Sequence, residues 1–247
     1  MADDEAQIAV PTAIAEAWGL RVRPVKGPRP SVSLRDIVEA GVRLADADGL
    51  GAVSMSKVAA EVGVTAMALY RHVGNKDELL ILMVDEALGA PPVKLTEAMP
   101  WREGLDAWGM GLLAAYRKRP WSLRVPITTL PPLPNQVMWM EHGLRHLAAT
   151  GLNETQKLSS ILLISNLVRG YAILEQDMGA GAEAATAMFS RVMGQVVGDG
   201  RFPALARALT EGALEDDPPE PDALWLELRF GLDRALDGIG ALIERAG

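Results

Sequence analysis

Ser54-Met-Ser-Lys-Val-Ala-Ala-Glu-Val-Gly-Val-Thr-Ala-Met-Ala-Leu-Tyr-Arg-His-Val73 is the stretch on which the fold of this chain turns. Ser54 is a residue type whose side-chain oxygen caps a helix, and Met55, Val58, Ala59 and Val62 follow at helical spacing. Gly63 breaks that helix where the backbone must turn tightly. Val64 reads as a buried contact in the turn, and Thr65, another capping residue, restarts a helix two residues after the break. Two short helices joined this closely form a helix-turn-helix, whose second helix enters the major groove of DNA.

The flanking sequence places this unit in an all-α chain. Upstream, Ser33 can cap a helix in which Leu34, Ile37, Val38, Gly41, Leu44 and Ala45 share a stripe, ending at Asp48-Gly49. Before it lie an acidic start with helical character over Ala6 to Leu20 and a segment, Arg23 to Ser31, whose Pro24, Gly27, Pro28 and Pro30 deny it a regular helix. Downstream, a fourth helix begins near Asn75 and runs through Leu88 to Gly89-Ala90-Pro91-Pro92, connecting the small unit to the rest. Helical spacing then predicts helices at 101–118, 134–149, 154–178, 182–197 and 222–245, with Pro126, Pro131, Pro132 and Pro134 marking one break. The expected organisation is a basic N-terminal extension over 1–30, a DNA-binding domain over 31–90 and a helical-bundle ligand-binding and dimerisation domain over 91–247.

Composition narrows the classes. Hydrophobic residues make up 49% and charged residues 23% of 247, which excludes a largely disordered chain. No cysteine means no disulfide, thiol nucleophile or thiolate metal site. Arg169 interrupts the most apolar stretch, Leu158 to Leu174, and the acidic start lacks the basic residues of an export signal, so a cytoplasmic protein is expected. A net charge of -8 opposes nucleic-acid binding, since lysine and arginine supply most non-specific affinity. Locally the balance reverses: Ala17 to Arg35 holds Arg21, Arg23, Lys26, Arg29 and Arg35 and no acidic residue. This arm reads either as a charged leader without a specific role or as a segment whose arginines reach a neighbouring minor groove.

Leu69-Tyr-Arg-His-Val followed by Asn75-Lys-Asp-Glu-Leu closely resembles the N-terminal domain of tetracycline-repressor (TetR) family regulators. The residue chemistry agrees. Thr65 can offer a hydroxyl and backbone N–H groups to a phosphate, and Tyr70, His72 and Lys76 can donate to others. Ala66, Met67, Ala68 and Arg71 are placed to face base edges, with Arg71 suited to bidentate reading of guanine. Ser54, Ser56 and Lys57 complete the candidate DNA contacts; family members often carry arginine where this chain has Ser56. Leu69 and Val73 read as core.

The C-terminal half resembles the tetracycline-repressor branch through Leu147-Ala-Ala-Thr-Gly-Leu-Asn153, Gly170-Tyr-Ala-Ile-Leu-Glu175 and Phe230-Gly-Leu-Asp-Arg-Ala-Leu-Asp-Gly-Ile239. The resemblance implies a homodimer built on the helices Glu154 to Met178 and Asp222 to Arg245, and hence a palindromic operator. Leu224, Leu228, Gly231, Leu232, Ala235, Leu236, Ile239 and Leu242 make a long stripe that fits such an interface. Residue types and the resemblance together give pocket candidates: Trp108, Met110, Leu112, Trp121, Thr129, Trp139, His142, Asn166, Tyr171 and Glu175. The namesake repressor holds a metal with a histidine where this chain has Pro126, so a tetracycline-metal effector is not expected, and no cofactor or metal is assigned. His142 and His146, four apart beside Glu141, have the spacing of metal ligands but lack a third.

No Gly-x-Ser-x-Gly, phosphate-binding loop or dinucleotide fingerprint occurs, so an enzyme is not expected. The expected function is a ligand-responsive regulator of the repressor type, released from DNA by a small apolar or amphipathic effector. The competing readings are a helical small-molecule-binding protein, or a metal-dependent enzyme, without DNA recognition.

Overall fold

A computed structural model describes residues 11–20, 32–92, 99–126, 132–179, 182–197, 200–212 and 223–246. All regular elements among them are helical: α1 (Thr12–Ala17), α2 (Leu34–Asp48), α3 (Met55–Glu61), α4 (Ala66–Leu69), α5 (Lys76–Leu88), α6 (Trp101–Lys118), α7 (Pro134–His146), α8 (Glu154–Met178), α9 (Ala182–Val196), α10 (Pro203–Thr210) and α11 (Ala223–Ala246). Short 3₁₀ turns at Leu50–Ala52 and Pro120–Arg124 add to them. The basic arm from Arg21 to Arg29 and Thr129 lie outside the described residues.

Local chemistry sets most helix starts. Ser33 accepts from Asp36 N–H at 3.2 Å while the Asp36 carboxylate accepts from Ser33 N–H at 2.8 Å, a reciprocal capping box. Asn153 and Gln156 repeat the arrangement at α8. The helix expected over 134–149 stops at His146 and turns through Leu147 and Thr150. α10 was not legible as a separate helix. It is eight residues long with Pro203 at its first position, which suits a helix start but adds no periodicity.

Two apolar cores form. The first gathers Ile37, Val42, Val58, Leu69, Val73, Leu79 and Met83 from α2 to α5 and also takes Ala13 from α1 and Trp121 and Leu133 from the later part of the chain. The second packs α8 against α6, α7 and α11 through Leu105, Trp108, Leu113, Ile161, Ile164, Leu228, Leu232 and Leu236. The stripe assigned to a dimer face on α11 is thus largely internal: Leu228, Leu232, Leu236 and Ile239 are buried against α6 and α8 of the same chain. The apolar surface left outside is on other faces, at Leu158, Leu163 and Leu174 of α8 and Leu226 and Phe230 of α11.

α8 is, among the described residues, long and apolar enough to cross a membrane by length and composition. It carries Lys157, bonded to Glu154 at 2.7 Å, and Arg169, and one face is buried in the second core. That is the pattern of a bundle's central helix.

Candidate functional site

The helix-turn-helix is assembled by three caps in series. Ser54 Oγ accepts from Lys57 N–H at 3.3 Å, Thr65 Oγ1 from Ala68 N–H at 3.2 Å and Asn75 Oδ1 from Glu78 N–H at 2.8 Å. Gly63 makes the turn at φ +72°, a left-handed backbone conformation that a Cβ disfavours. Val64, expected as buried, is half-buried against the first core. Leu69 and Val73 are fully buried and set the angle of α4. With Leu69 turned inward, the opposite face is presented outward: Met67 is 76% and Tyr70 46% exposed, and Thr65, Arg71 and Lys76 are exposed beside them. Ala66, Ala68 and His72 are half-buried. Ser56 and Lys57 are exposed on α3, and Ser54 is half-buried beneath its cap. Arg35, counted with the basic arm from sequence, sits on α2 and pairs with Glu39 at 2.7 Å.

A second site opens where this unit meets the bundle. A cavity of about 260 Å³ lies between α5, α6, α7 and α8. Trp108, Leu112, Trp139 and Asn166 of the sequence candidates line it. Ile81, Val84 and Leu88 of α5 form a wall that sequence reasoning missed, as it missed Tyr116, Gln136 and Arg169. A signal for that wall existed. The unbroken apolar run Leu79 to Val84 is too wide for one face, as in a helix buried on several sides.

The remaining candidates are placed elsewhere. Trp121 inserts into the first core and donates through Nε1 to Asp46 Oδ1 at 2.7 Å, because an indole N–H buried there needs an acceptor and α2 supplies one. Glu175 is held away by Arg117 in a two-bond pair of 2.9 and 2.6 Å. Tyr171 is buried in the second core, and Met110 packs at its edge. His142 is half-buried on α7 and does not line the cavity. His146 lies against α6, its ring filling the space that a Cβ on Gly104 would take. Among the described residues no group of three or more His, Asp or Glu side chains is placed to hold a metal ion. Pro126 lines the cavity and offers no side-chain donor or metal ligand.

The joint between the two cores is polar and specific. α7 begins after Leu133 with no capping side chain of its own. Asp85, 6% exposed on α5, supplies the cap: its carboxylate accepts from Asn135 N–H at 3.2 Å, Gln136 N–H at 2.9 Å and Asn135 Nδ2 at 3.1 Å. Burial raises the Asp85 carboxyl above its ordinary value, and these three donors oppose the rise. Close by, Trp139 Nε1 donates to the Gly89 carbonyl at 2.9 Å and Arg119 bridges Asp46 at 3.1 Å and the Glu86 carbonyl at 3.3 Å. At the other edge Trp18, just beyond α1, donates to the Pro132 carbonyl.

A helix-turn-helix packed against a cavity-bearing helical bundle is the build of a one-component regulator. Comparison with known proteins agrees. Residues 37–83 match the family described as bacterial regulatory proteins, tetR family, and residues 95–243 match the tetracyclin repressor-like C-terminal domain. The HTH-type transcriptional repressor DrrR1 of Streptomyces coeruleorubidus is 35% identical over 237 residues, covering 92% of this chain and 84% of the relative. ActR of Streptomyces coelicolor, crystallised in complex with actinorhodin, superposes with a TM-score of 0.72 at 25% identity, covering 89% of this chain and all of that one. Apo ActR gives a TM-score of 0.69 at 27% identity over 87% of this chain. The chain belongs to the TetR family of transcriptional regulators. It is a DNA-binding transcriptional regulator, and its curated relatives include transcriptional repressors.

Proposed function

We propose that two copies of this chain bind a palindromic operator in the cytoplasm and release it when a small apolar or amphipathic effector enters the cavity. The observation that carries this reading is the double duty of α5. Leu79, Leu82 and Met83 fill the core that sets α4, while Ile81, Val84 and Leu88 wall the cavity. A ligand pressing on one face of this helix moves the other. A coupling of about 1–3 kcal/mol would lower operator affinity roughly 5- to 150-fold.

A second copy is supported by the exposed Leu158, Leu163, Leu226 and Phe230 and by an open groove of about 450 Å³ between α8 and α11. Apolar side chains gathered this way are the composition of a homodimer interface. In this reading residues 31–90 form the DNA-binding domain, 91–247 the effector and dimer domain, and 1–30 an extension.

Selection of operator fragments from random DNA, followed by fluorescence anisotropy, tests the proposal. A two-fold symmetric sequence should be enriched; enrichment of none would overturn it. On that operator Arg71→Ala should weaken binding roughly 5- to 150-fold, the loss of one bidentate base contact. Lys76→Ala should instead reduce the salt slope by about one. An Arg71→Ala protein with unchanged affinity and specificity would remove Arg71 from the base-reading set.

A further inference from the structure

We propose that Arg169 makes the cavity selective for an aromatic effector bearing an acidic oxygen, a carboxylate or an acidic phenol. The inference deepens the proposed function and rests on the cavity being the effector site.

Among the described residues lining the cavity, Arg169 alone carries a permanent charge. Other arginines of the bundle are matched: Arg102 to Asp237 at 2.6 Å, Arg117 to Glu175 at 2.6 Å, Arg119 to Asp46 at 3.1 Å and Arg229 to Asp106 at 2.5 Å. Among the described residues no carboxylate pairs with Arg169 in this way. Among them its guanidinium meets only neutral oxygens, the Leu123 carbonyl at 3.4 Å from Nη2 and the hydroxyl of Tyr116. A guanidinium is weakly hydrated and presents a planar fork of donors, so a half-buried one beside apolar walls favours a carboxylate or similar oxygen acid. Burial raises the Tyr116 hydroxyl above the ordinary range, and Arg169 opposes the rise through its charge and its hydrogen bond. The guanidinium therefore already acts electrostatically on an oxygen at this wall.

The aromatic half of the inference comes from the indoles. Trp108 and Trp139 stand edge to face with centroids 6.2 Å apart. Trp108 Nε1 donates to the Trp139 carbonyl at 2.9 Å and Trp139 Nε1 to the Gly89 carbonyl at 2.9 Å. Both N–H groups are thus committed within the protein, and the two rings offer the cavity apolar and π surface. Ile81, Val84 and Leu112 extend that surface. Ser122, Gln136, Ser165 and Asn166 supply neutral polar groups, so the contrast between charged and neutral ligands falls to Arg169.

The test uses three probes of matched shape, 2-naphthoate, 2-naphthamide and 2-naphthylmethylammonium, titrated calorimetrically into the full-length protein. The wild type should bind naphthoate about tenfold more tightly than the amide, a charge-assisted contact against a neutral one, and the ammonium most weakly. Arg169→Gln should bring naphthoate down to the amide's affinity and leave the amide within about twofold. Arg169→Lys, which keeps the charge and loses the fork, should retain part of the preference, and thermal melts confirm that both variants fold. A preference for naphthoate that survives in Arg169→Gln, or that is absent from the wild type, would overturn the inference. Leu112→Trp, which fills the cavity, separates this from failure of the underlying reading. If no probe binds, or binding is indifferent to Leu112→Trp, the cavity is not the effector site and both ideas fall. If Leu112→Trp blocks binding of all three without any charge preference, only the acidic-ligand inference falls.

Discussion

Trp108→Ala should destabilise the protein by about 3–5 kcal/mol, the range for deleting a buried large aromatic side chain. Trp108 is 2% exposed, and its N–H is bonded to the Trp139 carbonyl at 2.9 Å. A Cβ on Gly143 would lie 3.1 Å from its Cε2, so α7 crosses directly over the ring. Removing the indole enlarges an existing cavity and leaves the Trp139 carbonyl without that donor, and neither α7 nor α8 can close the gap without moving Ile161. In a chain of this size the loss corresponds to a fall of roughly 6–20 °C in the melting midpoint. Thermal unfolding followed by circular dichroism measures it. A midpoint within a degree or two of wild type would show that α6 and α7 do not depend on this ring. Trp108→Phe, which keeps most of the volume and loses the hydrogen bond, should cost about 1 kcal/mol.

Asp85→Ala should cost about 2–4 kcal/mol, because it strips the start of α7 of its cap and leaves the part-buried backbone N–H groups of Asn135 and Gln136 unmatched. Asp85→Asn keeps one acceptor and should cost about half as much. The two variants differ from wild type in their pH dependence as well. Because burial raises the folded-state pKa of Asp85, the favourable contribution of its titration is complete below the ordinary 3.8 and is lost as the pH rises through the folded value. The deficit of Asp85→Asn relative to wild type should therefore shrink as the pH climbs above 3.8. A deficit that grows with pH would mean that the three donors outweigh desolvation and that the carboxylate is favoured in the folded state.

The contrast between these residues and the helix-turn-helix shows what a sequence reveals. Ser33, Ser54, Thr65, Asn75 and Asn153 cap helices through atoms three residues away, so their role can be read along the chain. Asp85 also caps a helix, but one that starts fifty residues later in sequence, and no local pattern marks it. Trp121 shows the same limit. As a large aromatic residue in the bundle it read as a pocket candidate, yet its partner Asp46 belongs to the DNA-binding unit, 75 residues away. The cavity was half legible. Trp108, Leu112, Trp139 and Asn166 lie on helices whose character the sequence showed, whereas the wall on α5 and the Arg169 charge depend on how that helix and α8 come together.

The placement of α5 also bears on how such regulators can be recombined. A chimera spliced just before Asn75 would deprive the recognition unit of Leu79, Leu82 and Met83, which complete its interior. One spliced just after Leu88 would carry Ile81 and Val84 into a foreign receptor whose lining they do not match. With either junction the swap calls for redesign of α5 turn by turn, because this one helix belongs at once to the core of the helix-turn-helix and to the wall of the cavity.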